Sequence, residues 1–503
     1  MKNDLSFDVV VIGGGHAGCE AAAASARMGV NTGLFTHKID TIGEMSCNPA
    51  IGGLGKGHLV KEIDALDGVM GVIADKSGIQ FRLLNRSRGP AVRGPRTQSD
   101  RTLYKKYMQK TLLSYCNLRV FSDPVIEFIF NKNRVIGFHT KSGKKINCKK
   151  MILTTGTFLN GIIHVGKEQT PAGRFNEKPS TGLSEQLKKY NFKIGRLKTG
   201  TPPRLDGRTI NFENLEEQKA DDNPYYFSFL TKKILNKQIS CRMTYTNEVV
   251  HKIISKNLKR SAMYSGNIKG IGPRYCPSIE DKVVKFSDKH RHQIFLEPEG
   301  LKDNTIYPNG ISTSLPAEVQ AEIFNKINGL EHVRIIRPGY AIEYDFVDPR
   351  ELFLTLETKK IQNLFLAGQI NGTTGYEEAA AQGLIAGINA ALSIKNSEPF
   401  ILDRSDAYIG VMIDDLVTKG VAEPYRMFTS RAEYRLSLRA DNADQRLTPK
   451  GDEIGLISES RMRVFKDKML KITNISSKLD KLSLSPSKAE KSGIKIAKDG
   501  VVR

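Results

Sequence analysis

The chain has 503 residues, of which 39% are hydrophobic and 26% are charged, and its formal net charge is +22. At about 100–200 residues per domain, this length predicts roughly two to four globular domains, and the composition excludes an intrinsically disordered chain. No apolar run approaches the roughly 18 residues of a membrane-spanning helix, and the N-terminus lacks a signal-peptide pattern. The six cysteines include no C-x-x-C pair, so we expect no metal site and a reduced, cytoplasmic location.

The positive charge is concentrated in places along the chain. Its 76 lysines and arginines outnumber 54 acidic residues, which favours a polyanionic partner because each neutralised phosphate releases counterions. A lysine-rich genome would produce the same excess, and charge alone does not separate the two explanations. Residues 85–106 carry seven cations against the single acid Asp100, and arginines spaced by glycine and proline suit phosphate recognition. These cations are Arg86, Arg88, Arg93, Arg96, Arg101, Lys105 and Lys106.

The first elements follow the order of a dinucleotide-binding unit. Phe7–Ile12 is a short apolar run rich in β-branched residues, which predicts a buried parallel strand. A glycine turn, an alanine-rich helix ending near Met28 and a second strand over Val30–Phe35 follow it. This order of strand, turn, helix and strand is the context that a dinucleotide fingerprint requires.

The turn itself is Gly13-Gly14-Gly15-His16-Ala17-Gly18. Its first glycine permits the tight turn, Gly15 lets the backbone approach a pyrophosphate, and Gly18 lets the helix pack closely on the strand. The N–H groups at the helix N-terminus attract phosphate oxygens. The acidic residue that usually contacts the ribose is absent after the second strand, where Thr36 and His37 stand. The turn alone therefore leaves the choice of cofactor open.

Two later segments favour FAD over NAD as the cofactor of this unit. The strand before Thr154-Thr155-Gly156 and the strand before Gly368-Gln369 resemble the second and third fingerprints of two-dinucleotide-domain flavoproteins. Gln369 replaces the aspartate that usually contacts the ribityl chain, so this contact would use an amide. Glycines between Gly372 and Gly375 precede another helix, whose N–H groups would stabilise a reduced flavin.

The predicted fold class is α/β. An FAD-binding, Rossmann-like domain of the two-dinucleotide-domain flavoprotein type is expected in two parts, residues 1–198 and 309–400. Residues 199–308 lose the regular apolar alternation and gain proline, asparagine and tyrosine, which indicates an inserted α/β domain. Residues 401–503 turn helical and end in a basic tail, which predicts the start of a helical C-terminal domain.

Two cysteines have distinctive surroundings. Cys47 lies in a loop with Lys56 and His58 not far along the chain, and Cys276 lies between Gly272 and Pro277. Nearby cations would lower a thiol pKa and favour the nucleophilic thiolate. A lone cysteine is more often a buried small side chain, and the residues alone leave both interpretations open. Residues 52–57 are no Walker A loop, because glycine follows the lysine where serine or threonine is needed.

Longer strings of the sequence resemble a known family, the bacterial tRNA uridine 5-carboxymethylaminomethyl modification enzymes called MnmG or GidA. The resemblance covers almost the whole chain, and several of its strings are long and low in degeneracy. Besides the glycine turn, these strings are Met45–Gly53, Gly78–Arg82, Lys198–Arg204, Gly272–Asp281, Gln293–Gly300, Gly368–Glu378 and Glu423–Arg435.

The resemblance implies an activity, cofactors and partners. Family members bind FAD, reduce it with NADH, and take a one-carbon unit from methylene-tetrahydrofolate. They install an aminomethyl-type group on carbon 5 of the wobble uridine of certain tRNAs, acting with the GTPase MnmE. A homodimer is expected by the same resemblance. The inserted domain would then be NAD-binding.

The resemblance also assigns site residues. Cys47 and Cys276 would be the catalytic thiols. FAD would contact Gly13, Gly14, Gly15, His16, Ala17, Gly18, Val125, Ser180 and Gln369. The nicotinamide dinucleotide would contact Gly272, Pro273, Arg274, Tyr275, Cys276, Pro277, Ser278, Ile279, Glu280, Asp281, Lys282, Val283, Val284, Lys285 and Phe286.

The chemistry needs a thiolate because carbon 5 of uracil is a weak nucleophile. A thiolate that adds at carbon 6 makes an enolate whose carbon 5 can attack. Cys276 is expected to add and Cys47 to act as acid, base or second-step thiol, and the reverse assignment stays open. A flavin-dependent disulfide reductase would need a paired-cysteine motif, which is absent. Two further hypotheses are a tRNA-binding scaffold without chemistry and the related folate-dependent tRNA methyltransferase.

Family members continue well beyond Arg503, so the helical C-terminal domain is expected to be truncated, either genuinely or by the gene model. A helical domain cut short cannot bury its apolar faces, which predicts partial disorder after Lys481 and poor docking of the GTPase.

Overall fold

The computed structural model describes residues 5–266, 268, 270, 272, 277–483 and 485–495. The strands are β1 Leu5–Ile12, β2 Thr32–Thr36, β3 Ala50–Gly52, β4 Gly78–Leu84, β5 Gly94–Ser99, β6 Leu118–Ser122, β7 Val125–Asn131, β8 Arg134–Thr140, β9 Lys145–Leu153, β10 Ile162–Val165, β11 Glu168–Pro171, β12 Ile194–Thr201, β13 Arg204–Asp206, β14 Glu216–Gln218, β15 Cys241–Tyr245, β16 Gln293–Pro298, β17 Thr305–Asn309, β18 Ile335–Arg337, β19 Tyr340–Val347 and β20 Leu364–Leu366.

Helices alternate with these strands in the first third of the chain and dominate after residue 376. They are α1 His16–Arg27, α2 Lys56–Ala65, α3 Met70–Ser77, α4 Arg101–Leu112, α5 Leu183–Lys189, α6 Glu248–Asn257, α7 Ile279–Lys285, α8 Ala317–Phe324, α9 Tyr376–Ile394, α10 Tyr408–Asp414, α11 Ala443–Glu453, α12 Glu459–Leu479 and α13 Pro486–Lys491.

The largest sheet is built around β1. Its order is β6-β2-β1-β9-β8-β7, and β20 pairs with the second half of β9. The strands β6, β2, β1, β9 and β20 run parallel, whereas β7 and β8 are antiparallel to their neighbours. Parallel strands place their carboxyl ends at one edge, where ligands of open α/β sheets bind. The predicted α/β class is confirmed.

Two alanine-rich helices, α1 and α9, pack on each other with almost no side chain between them. A Cβ at Gly383 would lie 2.0 Å from the carbonyl oxygen of Ala17, and one at Gly387 would lie 2.5 Å from that of Ala21. Ser25 Oγ donates a hydrogen bond to the Gly387 carbonyl. At these two positions only glycine permits this backbone approach, because any Cβ would overlap the facing carbonyl oxygen. The helix near the N-terminus is thereby joined to one that begins 360 residues later.

Three further sheets are present in the described part of the chain. The sheet β14-β15-β16-β17-β13-β18 packs on α6, α7 and α8 around a second hydrophobic core. The sheet β11-β10-β19-β12 and the sheet β3-β5-β4 complete the strands. The six-stranded sheet joins strands from Arg204 to Arg337, while the domain limits 198/199, 308/309 and 400/401 stay a prediction.

The chain divides into two compact units, Met1–Leu456 and Ile457–Arg503. In the second unit, Ser458 caps α12 by accepting a hydrogen bond from the N–H of Arg461, and α13 follows. In the described part of the chain, no helix combines the length and the hydropathy that crossing a membrane requires. The predicted partial disorder after Lys481 falls on residues of which 482, 483 and 485–495 are described, with α13 among them, while 484 and 496–503 lie outside the described residues. It stays a prediction.

Candidate active site

A cavity of about 540 Å³ opens at the carboxyl ends of β1 and β2. The glycine turn after β1, the loop after β9, the start of α9 and the loop that carries Cys47 all contribute to its wall. Of the predicted FAD contacts, eight line this cavity, which are Gly13, Gly14, Gly15, His16, Ala17, Val125, Ser180 and Gln369. The structure therefore brings together residues that the sequence separates by more than 350 positions.

The glycine turn has the shape that phosphate binding requires. Gly13 has φ = +110°, a left-handed conformation that favours glycine, and a Cβ at Gly18 would lie 1.8 Å from the Gly13 carbonyl oxygen. A Cβ at Gly15 would meet no atom within 4 Å. Since α1 starts directly after Gly15 without a side-chain cap or an acidic first turn, its N–H groups are available to an anion. The turn fits a dinucleotide pyrophosphate.

His16 supplies a further polar group to this wall. Burial lowers the pKa of His16 to about 4, so its imidazole is neutral. The ring stacks on Tyr376 with centroids 4.4 Å apart, and its Nε2 has no hydrogen-bond partner among the described residues. A buried polar atom of this kind is normally satisfied, and here a cofactor beside the turn would satisfy it.

Two further FAD candidates, Ser180 and Gln369, line the cavity with polar neighbours. His37 follows β2 where an acidic residue was absent, and its Nε2 lies 3.1 Å from the Ser180 hydroxyl. Burial lowers the pKa of His37. Gln369 Nε2 donates a 3.4 Å hydrogen bond to the Tyr344 hydroxyl. These neutral groups can form hydrogen bonds at positions where dinucleotide-binding proteins usually have a carboxylate. The assignment of these residues to FAD stays a prediction.

Cys47 lies half-buried in the same cavity. Its Sγ is 3.2 Å from the Tyr307 hydroxyl, and its backbone N–H donates a 2.6 Å hydrogen bond to the Tyr376 hydroxyl. Tyr376 in turn donates to the Asn48 carbonyl at 3.2 Å. Burial and the neighbouring Cys47 raise the pKa of Tyr376 well above its usual value, so this phenol stays protonated. The sequence analysis assigned no role to either tyrosine. Tyr376 lies in the matched string Gly368–Glu378, whereas Tyr307 lies outside the matched strings.

The carbonyl of Cys47 is held by a buried cation, Arg204. Its Nη2 donates to the Cys47 carbonyl at 2.8 Å, and its Nε donates to Glu299 at 2.6 Å. Glu299 also accepts from Arg101, which continues to Glu44. Arg204 is 2% exposed, and a buried charge requires such paired and hydrogen-bonded surroundings. No local pattern around Arg204 predicts this role.

The cations that we expected beside Cys47 have other partners. Lys56 forms ion pairs with Glu377 at 3.0 Å and Glu378 at 2.6 Å, and although burial opposes it, these carboxylates raise the pKa of Lys56. His58 is buried, its Nε2 lies 3.1 Å from the Ala91 carbonyl, and burial lowers its pKa to about 4. The expectation that these two residues activate the thiol is wrong, because Lys56 is paired with two glutamates and His58 contacts the Ala91 carbonyl. The spacing of residues along the sequence did not reveal these partners.

Comparison with known proteins identifies the family. The sequence profile described as Glucose inhibited division protein A matches residues 8–398. The tRNA uridine 5-carboxymethylaminomethyl modification enzyme MnmG of Thermodesulfovibrio yellowstonii is 58% identical over 487 residues, covering 97% of this chain and 78% of that relative. The chain belongs to the GidA family. The resemblance inferred from the sequence motifs is confirmed.

Solved GidA structures have the same fold. Aquifex aeolicus GidA in its form II crystal matches with a TM-score of 0.90 at 53% identity, covering 95% of this chain and 79% of that one. The form I crystal matches with a TM-score of 0.92 at 52% identity, covering 98% and 85%.

A second cavity of this GidA-family chain, of about 300 Å³, contains part of the predicted nicotinamide segment. Four residues of this segment line the cavity, which are Gly272, Ser278, Asp281 and Lys285. Two others, Ile279 and Val283, pack in the second hydrophobic core. Glu280 accepts hydrogen bonds from Ser261, Thr313 and Ser314. Thr199 and Gly200 line both cavities. Pro273, Arg274, Tyr275 and Cys276 lie outside the described residues, and Pro277, Lys282, Val284 and Phe286 do not line the cavity. The nicotinamide assignments stay predictions.

The cationic segment 85–106 divides into two groups. Arg86, Arg96, Arg101 and Lys105 form ion pairs with acids, including Asp221, Glu297 and Glu299 from distant parts of the sequence. Arg88, Arg93 and Lys106 form no ion pair within the described residues, and Arg93 only donates to the Arg88 carbonyl. Four of the seven cations in the predicted phosphate-binding cluster are therefore paired with acids of the fold.

Proposed function

We propose that this chain is an FAD- and NADH-dependent enzyme that modifies carbon 5 of the wobble uridine of tRNA. The observation that carries the proposal is one cavity that contains both the dinucleotide turn and the thiol of Cys47. A relative of 58% identity is named as a tRNA uridine 5-carboxymethylaminomethyl modification enzyme, and the net charge of +22 suits an RNA substrate.

The residues of the cavity divide the work. The N–H groups after Gly15 would bind the FAD pyrophosphate, and the neutral imidazole of His16 would donate or accept one further hydrogen bond. Bound FAD would supply the redox chemistry, with NADH as the electron source. Tyr376 accepts from the N–H of Cys47 and Arg204 donates to its carbonyl, so the backbone of this cavity-lining residue is held on both sides. This arrangement supports a thiol that acts on a substrate beside the cofactor.

The second cavity is the proposed NADH site, supported by its contact with the first cavity through Thr199 and Gly200. We extend the proposal to methylene-tetrahydrofolate as one-carbon donor, to Cys276 as second thiol, and to a homodimer that acts with the GTPase MnmE in the cytoplasm. These parts rest on the family resemblance, and tRNA binding also rests on the unpaired cations Arg88 and Arg93.

The decisive experiment removes the thiol and leaves the cofactor site intact. Cys47→Ser should abolish the modified uridine in tRNA while the protein still binds FAD and oxidises NADH, because a serine hydroxyl does not ionise as a thiol does. Mass spectrometry of tRNA nucleosides and flavin absorbance measure the two properties separately.

Cys116→Ser is the matched control, since Cys116 is an exposed thiol that does not line the cavity. It should leave the modification at its normal level. Normal modified uridine in the Cys47→Ser protein would overturn the proposed role of this thiol, and absence of flavin from the unsubstituted chain would overturn the cofactor assignment.

A further inference from the structure

Among the described residues, the closest polar neighbour of the Cys47 sulfur is a phenol. The Tyr307 hydroxyl lies 3.2 Å from Sγ, whereas the Gly200 carbonyl oxygen and the Thr201 hydroxyl lie at 3.9 and 4.0 Å. The last two distances are too long for more than a weak contact. Within the part of the chain that the structure describes, the main hydrogen-bonding partner of the sulfur is therefore Tyr307.

Tyr307 is firmly placed for this contact. It lies in β17, pairs with Glu297 of β16 in register, and is 5% exposed. The guanidinium carbon of Arg204 lies 4.5 Å from the centre of its ring, within the range of a cation–π contact. The same Arg204 donates to the Cys47 carbonyl at 2.8 Å. One buried cation thus contacts both members of the sulfur–phenol pair.

The chemistry of the two groups decides which one donates. An ordinary cysteine thiol ionises at a pKa of about 8.5 and an ordinary tyrosine at about 10. When one proton leaves the pair, the negative charge therefore resides on sulfur and the phenol keeps its hydrogen. A nearby buried cation favours an anion in either position.

We propose that Tyr307 is a catalytic residue whose hydroxyl donates a hydrogen bond to the Cys47 thiolate and so favours the reactive, ionised form at neutral pH. Arg204 is the positioning residue of this pair. The inference rests on the proposed role of Cys47 as the reacting thiol. It assigns the activating function to Tyr307 and the positioning of the pair to Arg204, while Lys56 and His58 contact other groups.

The test measures thiol reactivity directly and needs no tRNA. Alkylation of the intact protein by iodoacetamide is followed across a pH series, and peptide mass spectrometry separates Cys47 from the other five cysteines. In Tyr307→Phe, we expect the midpoint of the Cys47 profile to rise by about one pH unit and the rate at neutral pH to fall about tenfold.

Tyr245→Phe is a closely matched control. Tyr245 lies in β15 of the same sheet, and the guanidinium of Arg291 is also 4.5 Å from its ring centre. Its hydroxyl faces Glu216 at 3.5 Å and has no contact with Cys47. This variant should leave the Cys47 profile unchanged, so a general effect of removing a tyrosine hydroxyl beside an arginine is separated from the specific one.

A second variant guards against a mere packing change. Fluorotyrosine in place of Tyr307 keeps the hydroxyl and makes it a stronger donor, so it should move the midpoint downward. A midpoint that stays unchanged or falls in Tyr307→Phe overturns the proposal, as does a fluorotyrosine variant that moves upward. Because alkylation is measured without tRNA, these outcomes stand apart from loss of the proposed uridine modification, which the nucleoside analysis of Cys47→Ser reports.

Discussion

The glycine turn after β1 and the loop that carries Cys47 line one cavity but are held in different ways. The turn is shaped by its own backbone, with Gly13 at positive φ and Gly18 against the Gly13 carbonyl. The loop is held by side chains from distant positions, Tyr376 and Arg204. The shape of the turn therefore depends mainly on its own glycines, with one further hydrogen bond from Thr154 to the Gly13 carbonyl, while the thiol loop depends on long-range polar contacts. We therefore expect a single substitution to disturb either the glycine turn or the Cys47 loop, and to leave the other one intact.

The strongest test of this difference removes the cation behind the thiol loop. Arg204→Ala leaves the Cys47 carbonyl without its donor and Glu299 with Arg101 alone, so we expect a loss of about 3 kcal/mol in the free energy of unfolding. Denaturant unfolding measures the loss. Arg208→Ala is the control, because Asp206 likewise keeps a second arginine, Arg334, but on the surface. Arg208→Ala should have almost the same free energy of unfolding as the unsubstituted protein. An equal loss of stability in Arg204→Ala and Arg208→Ala would show that the buried arginine is no more important than the surface one.

The turn can be blocked without disturbing its fold. Gly15 has φ = −75° and open space at its Cβ position, so Gly15→Val is compatible with the backbone. The valine would overlap the pyrophosphate at about 1–3 kcal/mol, which predicts about 10- to 100-fold weaker FAD binding.

Flavin absorbance after gel filtration and thermal unfolding of the FAD-free protein check this prediction. Gly89→Val is the matched control, because Gly89 has φ = −64° and equally open space but lies outside the cavity. Full flavin absorbance in Gly15→Val would show that the turn does not contact the cofactor.

The smallest effect concerns the surface cations. Replacing Arg88 and Arg93 by alanine should lower the slope of log affinity for tRNA against log salt by about 1–2, with little loss of stability. Lys188→Ala with Lys189→Ala removes the same charge from two exposed positions at the end of α5. If both pairs change the slope equally, only net charge matters and the segment has no specific role.

The sequence predicted elements whose signals are local. The strand–turn–helix unit, β20 and α9 lie where apolar runs and glycines indicated them, because strand and helix periodicity need only neighbouring residues. The surroundings of Cys47 were missed for the opposite reason. Arg204, Glu299 and Tyr307 reach it only through sheet pairing and ion pairs, and no spacing rule connects positions 47, 204 and 307.

The arginine-rich segment shows the same limit. Its composition indicated phosphate binding, but Arg96 and Arg101 pair with Glu297 and Glu299, about 200 residues later. A count of charges within a short segment cannot detect an ion pair with an acid so distant in sequence. Separating structural cations from those available to RNA therefore requires the fold.

The close packing of α1 on α9 has a mechanical consequence for the cavity. His16 begins the first helix and Tyr376 begins the second, and their rings stack at 4.4 Å. Backbones that touch at Gly383 and Gly387 leave no side chains whose rearrangement could let one helix slide along the other. The starts of α1 and α9 must then move together as one stiff body. Any opening of the cavity that admits a nucleotide or releases a product therefore has to come from the surrounding loops. Enlarging either glycine would part the stacked rings of His16 and Tyr376, and both of these residues line the cavity.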